Sequence, residues 1–174
     1  MFRGNSPASI DDKGRLKVPN AFRLALEQKF GRELYLTSVS GEDVLIYPMP
    51  VWIELEEKLA KVPSMNPAKQ RFLDRVNYFG QNGELDGQGR VVIPVRLRES
   101  ATMSGEVDVL GHGNYLDVWN HDRFLLKLQR DAYTDDDKRT LSDFGTAALY
   151  SEPSRDDSRE QPEANERTLT SSAE

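Results

Sequence analysis

The sequence predicts an α+β fold built from two tandem copies of one unit, and two observations support this prediction. The first is an internal repeat, because residues 10–19 (IDDKGRLKVP) match residues 85–94 (LDGQGRVVIP) at an offset of 75. The second is that the same order of predicted elements follows each match: a short helix, two strands around a turn, and two helices. A unit of this length is small for an independent hydrophobic core, so we expect the two copies to share one.

The repeated segment has the composition of a tight hairpin. The positions that are identical in both copies are Asp11/Asp86, Gly14/Gly89, Arg15/Arg90 and Pro19/Pro94. An aspartate before a turn can accept backbone N–H groups, and a glycine supplies a positive φ where the chain reverses. Leu16 and Val18 then alternate with Arg15 and Lys17, which predicts apolar side chains inward and cations at the outer edge. An Asp–Arg pair that only stabilises the turn is the alternative interpretation of this motif.

Hydrophobic spacing and turn residues define the remaining elements of the first copy. Apolar residues four apart predict its first helix, with Asn20 as a possible N-cap and Gly31 as the stop. Gly41-Glu42-Asp43 forms the turn between its strands. The predicted elements are a helix over 20–30, strands over 33–40 and 44–47, and helices over 51–62 and 67–79.

The second copy repeats this order with a different turn. Gly111-His112-Gly113 separates its two strands, which makes His112 an exposed turn residue, and His121 lies where the next helix begins. The predicted elements are a helix over 96–102, strands over 106–110 and 115–119, and helices over 122–132 and 137–149.

Charge is unevenly distributed along the chain. The formal net charge is −6, and residues 151–174 contribute −4 of it, with seven acids against three arginines. This segment has no aromatic residue and three apolar ones, so it cannot bury enough apolar surface to offset its ordering entropy. We therefore predict repeats over 1–76 and 77–150, followed by an acidic disordered tail over 151–174.

Residues 1–23 are the opposite case, with a net charge of +3 in an acidic protein. Their basic side chains are Arg3, Lys13, Arg15, Lys17 and Arg23. The positions of the second copy that match Arg3, Lys13 and Lys17 are the uncharged Phe79, Gln88 and Val92. A local positive face is the footprint of phosphate contact, and an arginine can read guanine bidentately in a major groove. A basic face that only balances the acidic remainder is the alternative.

Motifs for catalysis, cofactor binding and membrane insertion are missing from the sequence. The chain has no cysteine, and its two histidines, His112 and His121, lack the spacing of metal ligands. Gly87-Gln88-Gly89 lacks the rest of a dinucleotide-binding fingerprint. No apolar run has the length of a signal peptide or approaches the roughly 18 residues of a membrane span. We therefore expect a cytoplasmic protein that is not an enzyme and binds no cofactor, metal, small-molecule substrate or membrane.

The opening MFRG, the segment DDKGRLKVP and the later LDGQGRVVIP resemble the MraZ family of bacterial transcriptional regulators over roughly residues 1–150. This resemblance implies two SpoVT/AbrB-like units. The fold expected from it is α+β, with tandem swapped-hairpin units that form an intrachain pseudo-dimeric β-barrel with peripheral helices. By the same analogy, Arg15 and Arg90 are the motif arginines, and Asp11 and Asp86 are the motif aspartates.

The resemblance also implies a function. Family members look like ring-forming homo-oligomers that bind repeated DNA boxes ahead of a division and cell-wall gene cluster that includes their own gene. We therefore expect a DNA-binding regulator at the nucleoid that represses this cluster. The expected DNA-binding residues are Arg3, Lys13, Arg15, Lys17, Arg23 and Arg90, and the expected turn residues are Asp11, Gly14, Asp86 and Gly89. The helix residues that could form subunit contacts, or pack within the chain, are Trp52, Leu55, Leu59, Phe124, Leu125 and Leu128.

An oligomeric assembly module that does not bind DNA, such as an antitoxin-like barrel, is the competing interpretation. Both interpretations use the repeated hairpin and the ring. The charge difference between the copies separates them, because it matters for DNA contact and is not needed for assembly.

Overall fold

The computed structural model describes residues 1–146, and its strands form one antiparallel sheet. The strands are β1 (Phe2–Ile10), β2 (Arg15–Lys17), β3 (Glu33–Thr37), β4 (Val44–Pro48), β5 (Gln81–Glu84), β6 (Arg90–Val92), β7 (Gly105–Gly113) and β8 (Tyr115–Asn120). The α-helices are α1 (Asn20–Phe30), α2 (Met49–Ala60), α3 (Pro67–Tyr78), α4 (Val95–Ser100), α5 (His121–Arg130) and α6 (Asp135–Leu141).

The two copies interleave in the sheet, whose strand order is β5-β3-β4-β8-β7-β1-β2-β6. The first strand of each copy pairs with the third strand of the other, since β1 pairs with β7 and β5 pairs with β3. The copies also meet through β2 with β6 and through β4 with β8. The end strands β5 and β6 are joined by a tight turn, so the sheet curves into a nearly closed barrel. The predicted α+β fold with swapped hairpins is thereby confirmed.

One core fills the barrel, as the small size of each copy predicts. Leu16 of β2 and Val91 of β6 lie opposite each other and are both buried. Leu26 on α1 and Leu97 on α4 belong to the same core, and both are fully buried. Each copy alone would expose to water the part of this core that the other copy covers, so the copies fold together.

The helices α1 and α4 begin in the same way. Pro19 and Pro94 stand at their N-cap positions with φ of −56° and −54°, and no side chain caps either helix. The prediction that Asn20 caps α1 is therefore wrong, because Pro19 takes that position and pre-sets the backbone. Gly31 ends α1 with a φ of 89°, as predicted.

The predicted turn Gly111-His112-Gly113 is also wrong, because all three residues belong to β7. β1 has nine residues and pairs with β7 from Phe2 opposite Gly113 to Ile10 opposite Gly105, which extends β7 to this point. The chain reverses at Asn114, whose N–H donates to the carbonyl oxygen of His112 at 3.0 Å.

Residues 1–132 form one compact unit, and a second unit begins at Tyr133. In the second unit, Thr134 and Asp137 form a capping box at the start of α6, and a π-helical turn follows at Ser142–Thr146. The end of the helix predicted over 137–149 and the tail predicted over 151–174 lie outside the described residues.

The repeat boundary that we predict between residues 76 and 77 falls in the last turn of α3. Its position stays a prediction, because the copies share strands of a single barrel and do not separate in space there. None of the helices within residues 1–146 combines the length and the apolar character that a membrane span requires.

Candidate nucleic-acid interface

Asp11 organises the turn between β1 and β2. Its Oδ1 accepts hydrogen bonds from the backbone N–H groups of Lys13 at 3.0 Å and Arg15 at 2.9 Å. The N–H of Gly14 donates to the carbonyl oxygen of Asp11 at 2.9 Å, and Gly14 has a φ of 73°. A side-chain acceptor and a left-handed glycine together fix this reversal.

The second copy repeats this turn atom for atom. Oδ1 of Asp86 accepts from the N–H groups of Gln88 at 2.8 Å and Arg90 at 2.9 Å. Gly89 has a φ of 72°. The residue at the tip differs between the copies, since Lys13 of the first turn corresponds to Gln88 of the second.

Each motif arginine forms an ion pair with the aspartate of its own turn. Oδ2 of Asp11 lies 2.7 Å from both Nε and Nη2 of Arg15, and Asp86 holds Arg90 at the same distances. The backbone N–H of Arg15, aided by its guanidinium, lowers the pKa of Asp11. The corresponding groups of Arg90 lower the pKa of Asp86 to about 2. Both carboxylates are therefore charged at neutral pH and hold the guanidinium groups in one orientation.

β2 and β6 bring the two motifs together on the barrel surface. Because Leu16 and Val91 point into the core, the residues on either side of them point outward. The outward pairs are Arg15 opposite Val92 and Lys17 opposite Arg90. We refer to the surface formed by these four residues as the ribbon face. It combines three cations from two copies that lie 75 residues apart in the sequence.

Arg23 and Arg98 each contact the turn of the other copy. Arg23 on α1 packs against Gly89, where an added Cβ would lie 2.2 Å from its Cδ. Arg98 on α4 packs against Gly14, where an added Cβ would lie 2.4 Å from its Nη1. Nη1 of Arg23 also donates to the carbonyl oxygen of Gln88 at 3.5 Å. Each arginine thus supports the turn of the opposite copy.

Arg3 lies away from the other predicted DNA-binding residues. It is exposed on β1, seven residues before Ile10, a distance of up to about 23 Å along an extended strand. It stands opposite His112 in β7, and the hydroxyl of Tyr115 lies 3.3 Å from Nδ1 of His112. Arg3 therefore ends a row of ring side chains that crosses the sheet. The row, in strand order, is Tyr35, Tyr47, Tyr115 and His112.

Three of the predicted cations have no ion-pair partner in the described part of the chain: Arg3, Lys13 and Lys17. They are the same three that the second copy lacks. Arg15 and Arg90 are neutralised by Asp11 and Asp86, so the uncompensated positive charge near the ribbon face comes from the two lysines.

Sequence reasoning does not single out Arg98 or the position of Val92 opposite Arg15. The repeat supplies a signal for Arg98, because it aligns with Arg23. The pairing of Val92 with Arg15 depends on the register between β2 and β6, which no local pattern encodes. Within residues 1–146, no group of three His, Asp or Glu side chains is placed to hold a metal ion.

Comparison with known proteins identifies relatives along most of the chain. A family model described as "MraZ protein, putative antitoxin-like" matches residues 1–75 and 80–144. The Transcriptional regulator MraZ of Koribacter versatilis is 49% identical over 146 residues, which cover 83% of this chain and 99% of the relative. The protein of the same name from Acidobacterium capsulatum is 47% identical over 145 residues, with the same coverage.

A more distant relative shares the same name. The Transcriptional regulator MraZ of Methylococcus capsulatus is 38% identical over 120 residues, which cover 69% of this chain and 79% of the relative. These names support regulation of transcription as the class of function and give no support to catalysis. The two matched ranges correspond to the two interleaved copies of the barrel. Together with these relatives, the family match establishes that the chain belongs to the MraZ family.

Proposed function

We propose that this chain regulates transcription by binding double-stranded DNA with its ribbon face. Its targets would be repeated promoter boxes ahead of the division and cell-wall gene cluster that includes its own gene. Binding to these boxes would repress the transcription of this cluster. The observation that carries the proposal is the register of β2 and β6, which puts Arg15, Lys17 and Arg90 on one outward surface.

The shape of this surface suits a major groove. A two-stranded antiparallel ribbon fits a groove that is about 12 Å wide, because neighbouring strands lie about 4.8 Å apart. Leu16 and Val91 hold the ribbon on the core with their buried side chains. The outward side chains of the ribbon can therefore contact base edges while the core stays packed.

Arg15 is suited to reading a base more than to neutralising a phosphate. Asp11 compensates its charge and engages Nε and Nη2, while Nη1 has no hydrogen-bond partner among residues 1–146. A guanidinium held in one orientation loses little entropy when it binds the O6 and N7 acceptors of guanine. Arg90 has the same geometry and would read a second base.

Phosphate contact would come mainly from the unpaired cations. Lys13 at the turn and Lys17 on the ribbon face are exposed and lie beside Arg15 in the chain. Arg3 would reach a phosphate farther along the duplex, and Arg23 would support the second turn. Each such contact releases counterions, so binding should weaken steeply with salt.

A ring-shaped homo-oligomer would strengthen binding by single barrels that are weak alone. Several barrels that meet several boxes raise the avidity by roughly 10² to 10⁴ without new contacts. Leu125, Leu126 and Leu128 on α5 are 47%, 64% and 56% exposed, and they are available for subunit contacts. Trp52, at 4% exposure, instead stacks on Tyr35 within the chain. A protein with this role would lie in the cytoplasm at the nucleoid.

Footprinting and gel-shift titration on the DNA upstream of its own gene test this proposal. The full-length protein should protect regularly spaced segments and bind them more tightly than unrelated DNA of equal length. Arg15→Ala should lower this affinity, whereas Arg71→Ala, which removes an exposed arginine of α3, should leave it unchanged. An Arg15→Ala variant that binds as tightly and with the same salt dependence as the wild type would favour an assembly module that does not bind DNA.

A further inference from the structure

We propose that Val92 contacts the methyl group of a thymine in the major groove, and that it helps determine which DNA sequence the protein binds. This inference rests on the proposed function. Val92 is 57% exposed on the ribbon face, between the buried residues Val91 and Ile93. Its side chain is therefore not part of the core cluster and is available for an outside contact.

The register puts this valine beside an arginine suited to read a base. Val92 lies directly opposite Arg15 in the antiparallel pair of β2 and β6. The Cβ atoms of such a pair are about 4.5–5.5 Å apart. This spacing lies between one and two steps of about 3.4 Å, the rise between successive bases of a strand. A guanine under Arg15 and a thymine under Val92 would therefore be neighbouring or next-neighbouring bases.

The difference between the copies favours an apolar contact at this position. The residue of the first copy that corresponds to Val92 is Lys17, which stands opposite Arg90. The same change occurs three residues later, where Val95, also 57% exposed, corresponds to Asn20. The first copy is thus polar at both positions, whereas the second copy presents one exposed valine on β6 and another at the start of α4.

The chemistry of DNA leaves one main target for such a side chain. A valine offers no hydrogen bond and no charge, so phosphate oxygens and the polar edges of bases gain nothing from it. The C5 methyl of thymine is the apolar group that the major groove displays. Contact between the two removes apolar surface from water on both sides.

A structural role for Val92 makes a different prediction. A β-branched residue favours an exposed strand position whether or not DNA binds there. In that case Val92 would affect the stability of the barrel but not the response of binding to thymine methyl groups. An experiment that removes the methyl groups from the DNA therefore distinguishes a thymine contact of Val92 from a purely structural role.

The experiment compares upstream DNA of the protein's own gene made with thymine and with uracil, which lacks only the C5 methyl. Gel-shift titration should show that the wild type binds uracil DNA about four-fold more weakly for each methyl contacted. Val92→Ala should bind thymine DNA more weakly than the wild type and should bind both DNAs equally. Ile53→Ala on α2, an exposed apolar residue away from the ribbon face, should keep the wild-type preference.

Each outcome bears on one claim. A uracil penalty that is equal in the wild type and in Val92→Ala, or no penalty in the wild type, overturns the role of Val92 and leaves DNA binding intact. A wild type that binds upstream DNA no better than unrelated DNA overturns the proposed function itself. Equal thermal midpoints for wild type and Val92→Ala would exclude a loss of folding as the cause of any change.

Discussion

Asp11 holds the guanidinium of Arg15 through a single carboxylate oxygen, Oδ2, which lies 2.7 Å from both Nε and Nη2. The other oxygen of the same carboxylate fixes the backbone of the turn. One aspartate therefore sets both the path of the hairpin and the direction of its arginine. The motif therefore holds its arginine in one fixed orientation. Asp86 holds Arg90 in the same way.

Removing the carboxylate of Asp11 should reduce sequence discrimination more than total DNA affinity. The Asp11→Ala variant frees Arg15 to contact phosphates, and a correctly oriented bidentate contact carries about 1–3 kcal/mol of discrimination. We expect the ratio of affinities for upstream and unrelated DNA to fall roughly five- to 150-fold in gel-shift titrations. Asp12→Ala, the change at the exposed neighbouring acid, is the control and should keep the ratio.

The two motif arginines should contribute unequally although their geometry is the same. Arg15 shares its hairpin with Lys13, whereas the hairpin of Arg90 carries the uncharged Gln88. The loss of Arg15 should therefore cost more affinity than the loss of Arg90. Parallel titrations of Arg15→Ala and Arg90→Ala on the same DNA measure this difference. Equal losses, or a larger loss for Arg90→Ala, would contradict the asymmetry between the copies.

Gly89→Ala should destabilise the barrel by about 1–3 kcal/mol. The residue has a φ of 72°, and an added Cβ would lie 2.2 Å from Cδ of Arg23. Backbone strain and the close approach of the arginine act in the same direction. Chemical denaturation of Gly89→Ala beside Gly87→Ala measures the effect, because a Cβ at Gly87 meets no atom within 4 Å. Equal midpoints for the two variants would contradict both the backbone strain at Gly89 and its close contact with Arg23.

The stability of the barrel should fall as pH rises above the ordinary range of a carboxyl group. Burial in β8, reinforced by the charge of Asp43, raises the pKa of Asp117 from its ordinary value of 3.8. The folded state therefore keeps a proton that the unfolded chain releases, so rising pH favours unfolding until the folded carboxyl has also ionised. Asp117→Asn removes this titration.

Urea midpoints at pH 5 and pH 8 check the role of Asp117. The wild type should lose more stability between these values than Asp117→Asn does. Asp122→Asn, at an exposed acid in the first turn of α5, should behave like the wild type. A wild type and an Asp117→Asn variant with parallel pH profiles would place the titrating group elsewhere.

The repeat in the sequence is enough to predict the fold class and the order of the elements. Leu16 and Val91 face the core, as alternation predicts, because strand periodicity is a local property. The same periodicity does not reveal which strands pair. Gly111-His112-Gly113 has the composition of a turn but lies in β7, because pairing with the long strand β1 outweighs local preference.

The candidate interface was predictable in its residues but not in its arrangement. The excess of basic residues in 1–23 indicates a charged hairpin, and the charge pattern is visible in the sequence. The position of Arg90 opposite Lys17 follows from cross-strand register, and so does the position of Arg3 at the far end of β1. Register depends on how the two copies pack together, so it is a property of the whole barrel.

The central claim is that the ribbon face and the turn between β1 and β2 contact DNA. The dependence of DNA binding on salt concentration tests this claim most directly. Lys13 and Lys17 would each neutralise about one phosphate, so Lys13→Ala/Lys17→Ala should flatten the log–log salt slope by about two units. The matched control, Lys61→Ala/Arg71→Ala, removes two exposed cations, one at the C-cap of α2 and one on α3, and should leave the slope unchanged. A slope that stays at the wild-type value in Lys13→Ala/Lys17→Ala would show that DNA binds elsewhere on the protein.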